Sequence, residues 1–250
     1  MVQHHLSLHV GLLGATIGQL SMRHLQASAA AIFLFGFAAP LIAAAPYPSV
    51  EQATFHQLLF ANPDVAVLKN VYPPHSDSGY HVHSRELFYV VIEPARFGAQ
   101  KLGQALKTPP MTPVGGTGYN VMTAEPFVHR VVNSDRRACH IVAIELRRAV
   151  PGGSPLSARP SDYVQIFDNQ RMRAWRLIVA PGQSVPAMTQ SAVGVRVVVR
   201  GGSLVTSMPG VADQVLAIQN GDVSMQLEGT ARALRNAGRT PIELVEIELK

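Results

Sequence analysis

The sequence predicts an all-β protein made of two tandem copies of one small sandwich or barrel. Three observations carry this expectation. Runs such as Leu87-Phe88-Tyr89-Val90-Val91-Ile92 and Val193–Val199 are β-branched or aromatic and end in turn residues, the pattern of short strands. Gly (20 residues) and Pro (18) are frequent and form turn-marking pairs at Pro73-Pro74, Gly152-Gly153, Pro181-Gly182 and Gly201-Gly202. The chain also repeats itself. With Gly118 set against Gly221, a constant offset of 103 brings Asn133 onto Asn236, Arg136 onto Arg239 and Ile144-Glu145-Leu146 onto Ile247-Glu248-Leu249. Val71-Tyr72-Pro73-Pro74 matches Val179-Ala180-Pro181-Gly182 at a slightly larger offset, so the loops between the two blocks differ in length.

Residues 1–45 are set apart from the repeat. They contain no Asp or Glu, Arg23 is their only Lys or Arg, and an uncharged Ala/Phe/Leu/Ile run from Ser28 closes on Ala43-Ala44-Ala45. A short basic start, an apolar run and a small-residue end have the shape of a secretory signal peptide, with Met22 as an alternative start. The expectation is therefore export to a periplasmic or extracellular location, with retention as a membrane anchor the alternative and membrane contact only through this segment. The first domain follows at residues 46–148, a Pro/Gly/Ser-rich linker at 149–161 and the second domain at 162–250. Pro94–Tyr119 is long and rich in Pro and Gly, and reads as an insertion loop or lid over the first domain.

Composition removes several classes of function. The net charge of +5 comes from scattered Lys and Arg with no basic stripe or reader motif, which argues against nucleic acid as a partner. The single cysteine, Cys139, excludes an intrachain disulfide and reads as a small buried hydrophobe. No Gly-x-Ser-x-Gly elbow, phosphate-binding glycine loop or Cys–His nucleophile pattern is present in the sequence.

The histidines carry the chemical signal. All six that follow the leader, His56, His75, His81, His83, His129 and His140, precede residue 150. His81 and His83 are two apart, so on a strand they project from one face. With the carboxylate of Glu86 just beyond, they offer the nitrogen and oxygen donors that first-row transition metals take. Regular alternation turns Glu86 to the opposite face unless the chain bends at Ser84-Arg85. Cys139 and His140, adjacent on the last strand of the copy, point to opposite faces.

These residues resemble the two motifs of the cupin superfamily. Gly79-Tyr80-His81-Val82-His83-Ser84-Arg85-Glu86, followed by Phe88-Tyr89-Val90-Val91, is similar to the first. His129-Arg130-Val131-Val132-Asn133, with Gly118 upstream, is similar to the second. Departures include the short spacing from His83 to Glu86, Glu93-Pro94 in place of a closing glycine, and Ala124 and Pro126 in the second motif. The resemblance implies two tandem jelly-roll barrels of the double-stranded β-helix type. It also implies one divalent transition metal held in the first barrel by His81, His83, Glu86 and His129. The donor types leave Fe, Mn, Ni, Cu and Zn open.

In the second copy the site is erased. Arg232 stands where the repeat places His129, and Met188 with Gln190, or Thr189 with Ser191, replace the two histidines. None of these sets suits a first-row metal. Arg196 or Arg232, if turned inward, would hold an anion; otherwise both are solvated strand residues. The expected protein is an exported two-barrel cupin, possible as a homo-oligomer, that binds one metal ion and a small organic molecule. A metal-dependent oxygenase, isomerase or hydrolase is the catalytic alternative, with Tyr80, Tyr89 or Arg85 orienting substrate.

Overall fold

The structure, a computed structural model, describes residues 46–121, 127–147 and 158–250. The apolar leader, Ala124 and Pro126 of the second motif, and most of the linker lie outside these residues. Among those described, no helix is long and apolar enough to cross a membrane.

Among the described residues, eighteen strands form two barrels, each of two antiparallel sheets. In the first, β1 (His56–Ala61), β2 (Val65–Tyr72), β9 (Cys139–Leu146), β5 (Leu87–Glu93) and β7 (Thr117–Asn120) lie side by side in that order. The opposing sheet centres on β8 (Phe127–Asn133), which pairs with β3 (Ser76–Asp77), β4 (His81–His83) and β6 (Phe97–Lys101). The second barrel repeats the plan with β10 (Tyr163–Asp168), β11 (Met172–Val179), β18 (Ile242–Leu249), β13 (Gly194–Arg200) and β16 (Val223–Gln226). These face β12 (Ser184–Thr189), β17 (Ala231–Asn236), β14 (Gly202–Met208) and β15 (Val211–Ile218).

Sheet register refines the repeat. Val65 pairs with Leu146 as Met172 pairs with Leu249, and His81 pairs with His129 as Met188 pairs with Arg232. The offset is therefore 107 residues as far as β6, 106 at β7, where Leu87 pairs with Asn120 as Gly194 pairs with Gln226, and 103 from β8 onward. The equivalent of Gly221 is Gly115 rather than Gly118: each has a positive φ (73° and 85°) and donates its N–H to the partner carbonyls Val91 and Val198. Gly118 instead packs against Tyr89, whose ring leaves no room for a Cβ. Asn133 and Asn236 do the same work in both copies. Asn133 Nδ2 donates to the carbonyls of Tyr72, Pro73 and Arg137, and Asn236 Nδ2 to those of Val179 and Thr240, stapling one sheet to the other.

The central strands of both large sheets are buried on both faces. One face of β2, β5 and β9 supplies Val65, Val67, Phe88, Val90, Val142 and Ile144, which pack against Met172, Ala174, Val195, Val197, Val245 and Ile247 of the second barrel. This joint layer unites the barrels through one core. Alternation of apolar and acidic residues along β18 would ordinarily mark a wet face, yet every residue of that strand is buried. The Pro94–Tyr119 interval is not all loop, because β6 and the start of β7 belong to the sheets and only residues 102–116 connect them. In the second barrel the β14–β15 hairpin takes the place of that connection.

Candidate metal centre

His81 and His83 face inward from β4, a strand too short to do more than present them, and β8 brings His129 directly opposite His81. One ring nitrogen from each of the three lies within 4.8 Å of the others. The rings sit 4.6 Å (His81–His129), 4.9 Å (His83–His129) and 5.1 Å (His81–His83) apart. His81 is held by a contact from Nδ1 to the Gly79 carbonyl at 3.1 Å, which leaves its Nε2 buried without a partner. The Nε2 atom of His129 is likewise buried and unpartnered. Orphaned buried nitrogens are costly unless something binds them, and three clustered imidazoles are a donor set that suits a first-row metal ion. The triad can hold such an ion.

Two further residues complete the surroundings. His56 of β1 packs its ring 4.6 Å from His81, its Nδ1 2.8 Å from the Thr54 carbonyl and its Nε2 3.1 Å from the Tyr72 hydroxyl. Glu145 of β9, 3% exposed, places a carboxylate oxygen 3.5 Å from His83 Nδ1. The sequence motifs pass over both residues, since each comes from a strand outside the motif stretches. Only the ladders β1–β2 and β5–β9 bring them inward.

The histidines are tuned toward the neutral form. Burial lowers His81 to about 3, with His56 and His83 adding to the effect and the Gly79 carbonyl opposing it. Burial and the three neighbouring imidazoles bring His129 to about 2, and burial brings His56 to about 4. At neutral pH their lone pairs are free for coordination.

Glu86 does not join the triad. The chain does bend at Arg85, but Leu87 turns into the barrel with Leu68 and Ala143, so alternation sends Glu86 outward. There it accepts a hydrogen bond from the Tyr119 hydroxyl (2.8 Å) and pairs with Arg171 of the second barrel (2.9 Å). The proposed substrate-orienting residues also separate. Tyr89 lines the cavity beside the triad. Tyr80 packs against Tyr47 and the Arg130 guanidinium, and Arg85 is exposed; neither belongs to the cavity wall. His140 faces Gly221 of the second barrel, while Cys139 is buried beside Tyr72 and Val131.

The cavity, of about 400 Å³, opens against His83 and His129. Tyr72, Tyr89, Phe97, Tyr119 and Phe127 form much of its wall, and the 102–116 connection contributes Pro109 and Thr112. The second barrel holds that wall from behind. Phe167 stacks on Tyr119 (5.0 Å, 24°), and Arg176 donates to the Gly115 carbonyl.

The second barrel has no counterpart of the triad among its described residues. Met188 and Gln190 are the inward pair. Arg196 and Arg232 are buried rather than solvated, and Glu246, fully buried, pairs with both at 2.8 and 3.0 Å and with Arg159 as well. Arg159 enters from the linker, stacked 3.9 Å over Trp175, and also pairs with Glu248. Burial alone would raise the Glu246 carboxyl, but Arg196, Arg232 and Arg159 together hold it down at about 2. An internal ionic cluster fills the space that a metal would take.

No protein-family model matches the sequence, and no curated protein matches it. Solved structures do. AerE from Microcystis aeruginosa superposes with a TM-score of 0.57 at 12% identity, covering 79% of this chain and 98% of that one. Salicylate 1,2-dioxygenase from Pseudaminobacter salicylatoxidans gives 0.50 at 11% identity, covering 74% and 71%. A cupin domain from Bordetella pertussis Tohama I is 24% identical over 38% of this chain and 98% of its own, with a TM-score of 0.33. At such identities the likeness to AerE and the dioxygenase speaks for fold and not for chemistry. In fold the chain is a bicupin, two tandem cupin barrels with a histidine triad in the first.

Proposed function

We propose that the first barrel holds one divalent transition-metal ion on His81, His83 and His129 and presents it to a small organic molecule in the adjoining cavity. The observation that carries this reading is the convergence of one ring nitrogen from each of three imidazoles within 4.8 Å, with His81 Nε2 and His129 Nε2 buried without partners, beside a cavity of about 400 Å³. Bound there, such an ion supplies Lewis acidity or a redox centre. The chain's own residues do the rest. Burial keeps His81 and His129 neutral, Glu145 lies beside His83, and the aromatic wall offers the bound molecule apolar contact.

The cavity favours catalysis as the second reading, that of a metal-dependent oxygenase, isomerase or hydrolase. A metal that only braced the barrel would need no such space. Elemental analysis of the purified protein decides the first step. About one transition metal per chain is expected, and His81→Ala with His83→Ala should abolish it while the double variant stays folded by circular dichroism. Unchanged metal content in that variant sinks the assignment.

Export belongs to the same proposal and is supported by the apolar leader ending at Ala43-Ala44-Ala45. Amino-terminal sequencing of the mature protein should find a start near Pro46, and a chain that keeps its leader in a membrane fraction would favour the anchor instead.

A further inference from the structure

The geometry points to a neutral, ring-sized organic molecule with an N–H or O–H donor as the class that the wall of the first-barrel cavity selects, in preference to a carboxylate; this rests on the cavity of the site proposed above and not on its metal. The wall is the reason. Among the described residues that line the cavity there is no Lys, Arg, Asp or Glu. The Lys101 ammonium stands 5.6 Å from the centre of the Phe127 ring, but Lys101 is exposed and is not part of the wall. The segment 122–126, between the wall residues Val121 and Phe127, contains no Lys or Arg in its sequence.

A carboxylate entering this space would give up its hydration without a cationic side chain to replace it, and a buried unpaired charge is among the costliest groups a cavity can take. Glu145, ionisable and buried beside His83, adds a carboxylate on the protein side. A divalent ion on the triad would itself favour an anion, so the preference of the wall is read in the metal-free protein. Sites that recognise carboxylates ordinarily use a guanidinium fork. The arginines buried in a barrel interior here are in the second one, already occupied by Glu246 and Glu248.

Apart from the histidine nitrogens, the same wall offers one unmet hydrogen bond among the described side chains. Asn70 of β2 lines the cavity at 5% exposure, and its Oδ1 is buried with no partner. An amide carbonyl oxygen only accepts, so its complement on the ligand is an N–H or O–H. Five aromatic rings around that acceptor suit a flat molecule, and the volume falls in the range of about 300–1,000 Å³ usual for small-molecule sites.

Benzamide and benzoate test this, being alike in size and different in charge and in donor. Calorimetric titration of the full metal-free protein at pH 7 should show benzamide binding at least about tenfold tighter than benzoate. Asn70→Leu should weaken benzamide by about tenfold, as expected for loss of one hydrogen bond of roughly 1.4 kcal/mol. Phe127→Leu, a milder change, should weaken it by less and keeps the test available if Asn70→Leu fails to fold. Benzoate binding as tightly as benzamide, or neither binding, overturns the inference. A protein that takes up no metal yet still prefers benzamide would refute the metal assignment and leave this inference standing.

Discussion

Arg232 occupies in the second barrel the position that His129 occupies in the first: each lies directly across the ladder from the inward residue of the facing strand, Met188 in one case and His81 in the other. One register position therefore serves two electrostatic solutions, a neutral imidazole beside two others and a guanidinium bound to a buried glutamate. The second solution has a measurable cost when broken. Glu246→Gln leaves Arg159, Arg196 and Arg232 with Glu248 as the remaining carboxylate of the cluster. Loss of about 3–5 kcal/mol in unfolding free energy is expected, as for other buried ion clusters stripped of one partner. Denaturant titration reads it, and a loss below about 1 kcal/mol would mean that the cluster is not a structural element.

Glu145 is expected to tune the metal site without being one of the three ligands. Glu145→Gln keeps the shape of the side chain and removes the charge 3.5 Å from His83 Nδ1. Metal affinity should fall by about 10–100-fold, the usual consequence of removing an outer partner of a ligating histidine. Competition with a chromophoric chelator measures this. An unchanged affinity would mean that His83 is oriented by packing alone.

Glu86→Gln should behave in the opposite way. Its carboxylate serves Tyr119 and Arg171, so the metal content should stay at the wild-type level. The pair is partly exposed, and its loss should destabilise the protein by no more than about 1 kcal/mol. A drop in bound metal would return Glu86 to the ligand set.

The metal-free protein should lose stability in mild acid. His81 and His129 are held far below their ordinary value of 6.5, so above pH 6.5 folded and unfolded chains both carry them neutral and stability does not depend on them. Below pH 6.5 the unfolded chain takes up protons that the folded one refuses, and stability falls as the pH drops. Each such histidine contributes a slope of up to about 1.4 kcal/mol per pH unit. Between pH 6.5 and 4.5 this is separate from Glu246, whose contribution is present above 4.5 and disappears toward about 2. Thermal melts across that window should show the slope in wild type and a flatter one in His81→Ala with His129→Ala. Equal slopes would contradict the burial of the triad.

Much of the first site is legible in the sequence because its three histidines lie on two local motifs. His81 and His83 share a face by strand periodicity alone, and His129 lies four residues before an asparagine whose role is to staple the sheets. His56, Glu145 and Asn70 carry no such local mark. They reach the cavity through β1, β9 and β2; β1 pairs with β2 as a hairpin, but β2 pairs with β9 across about 70 residues, as of Asn70 with Ile141, and that leaves no short pattern to read. Glu86 shows the converse, since a residue at nearly the right spacing is turned away by the alternation that buries Leu87.

By itself, the sequence determined the all-β class and the duplication, because strand period and turn residues are local properties; the resemblance of two motifs added His81, His83 and His129 together with Glu86, and the repeat showed that the second copy lacks the histidines. The tertiary structure decided the rest. It placed the two large sheets face to face, so that strands with alternating acidic residues are buried on both sides. It joined Arg159, Arg196 and Arg232 to one glutamate and set Tyr119 between the cavity and the second barrel. Those relations depend on which faces meet, and long-range packing settles that where local pattern does not.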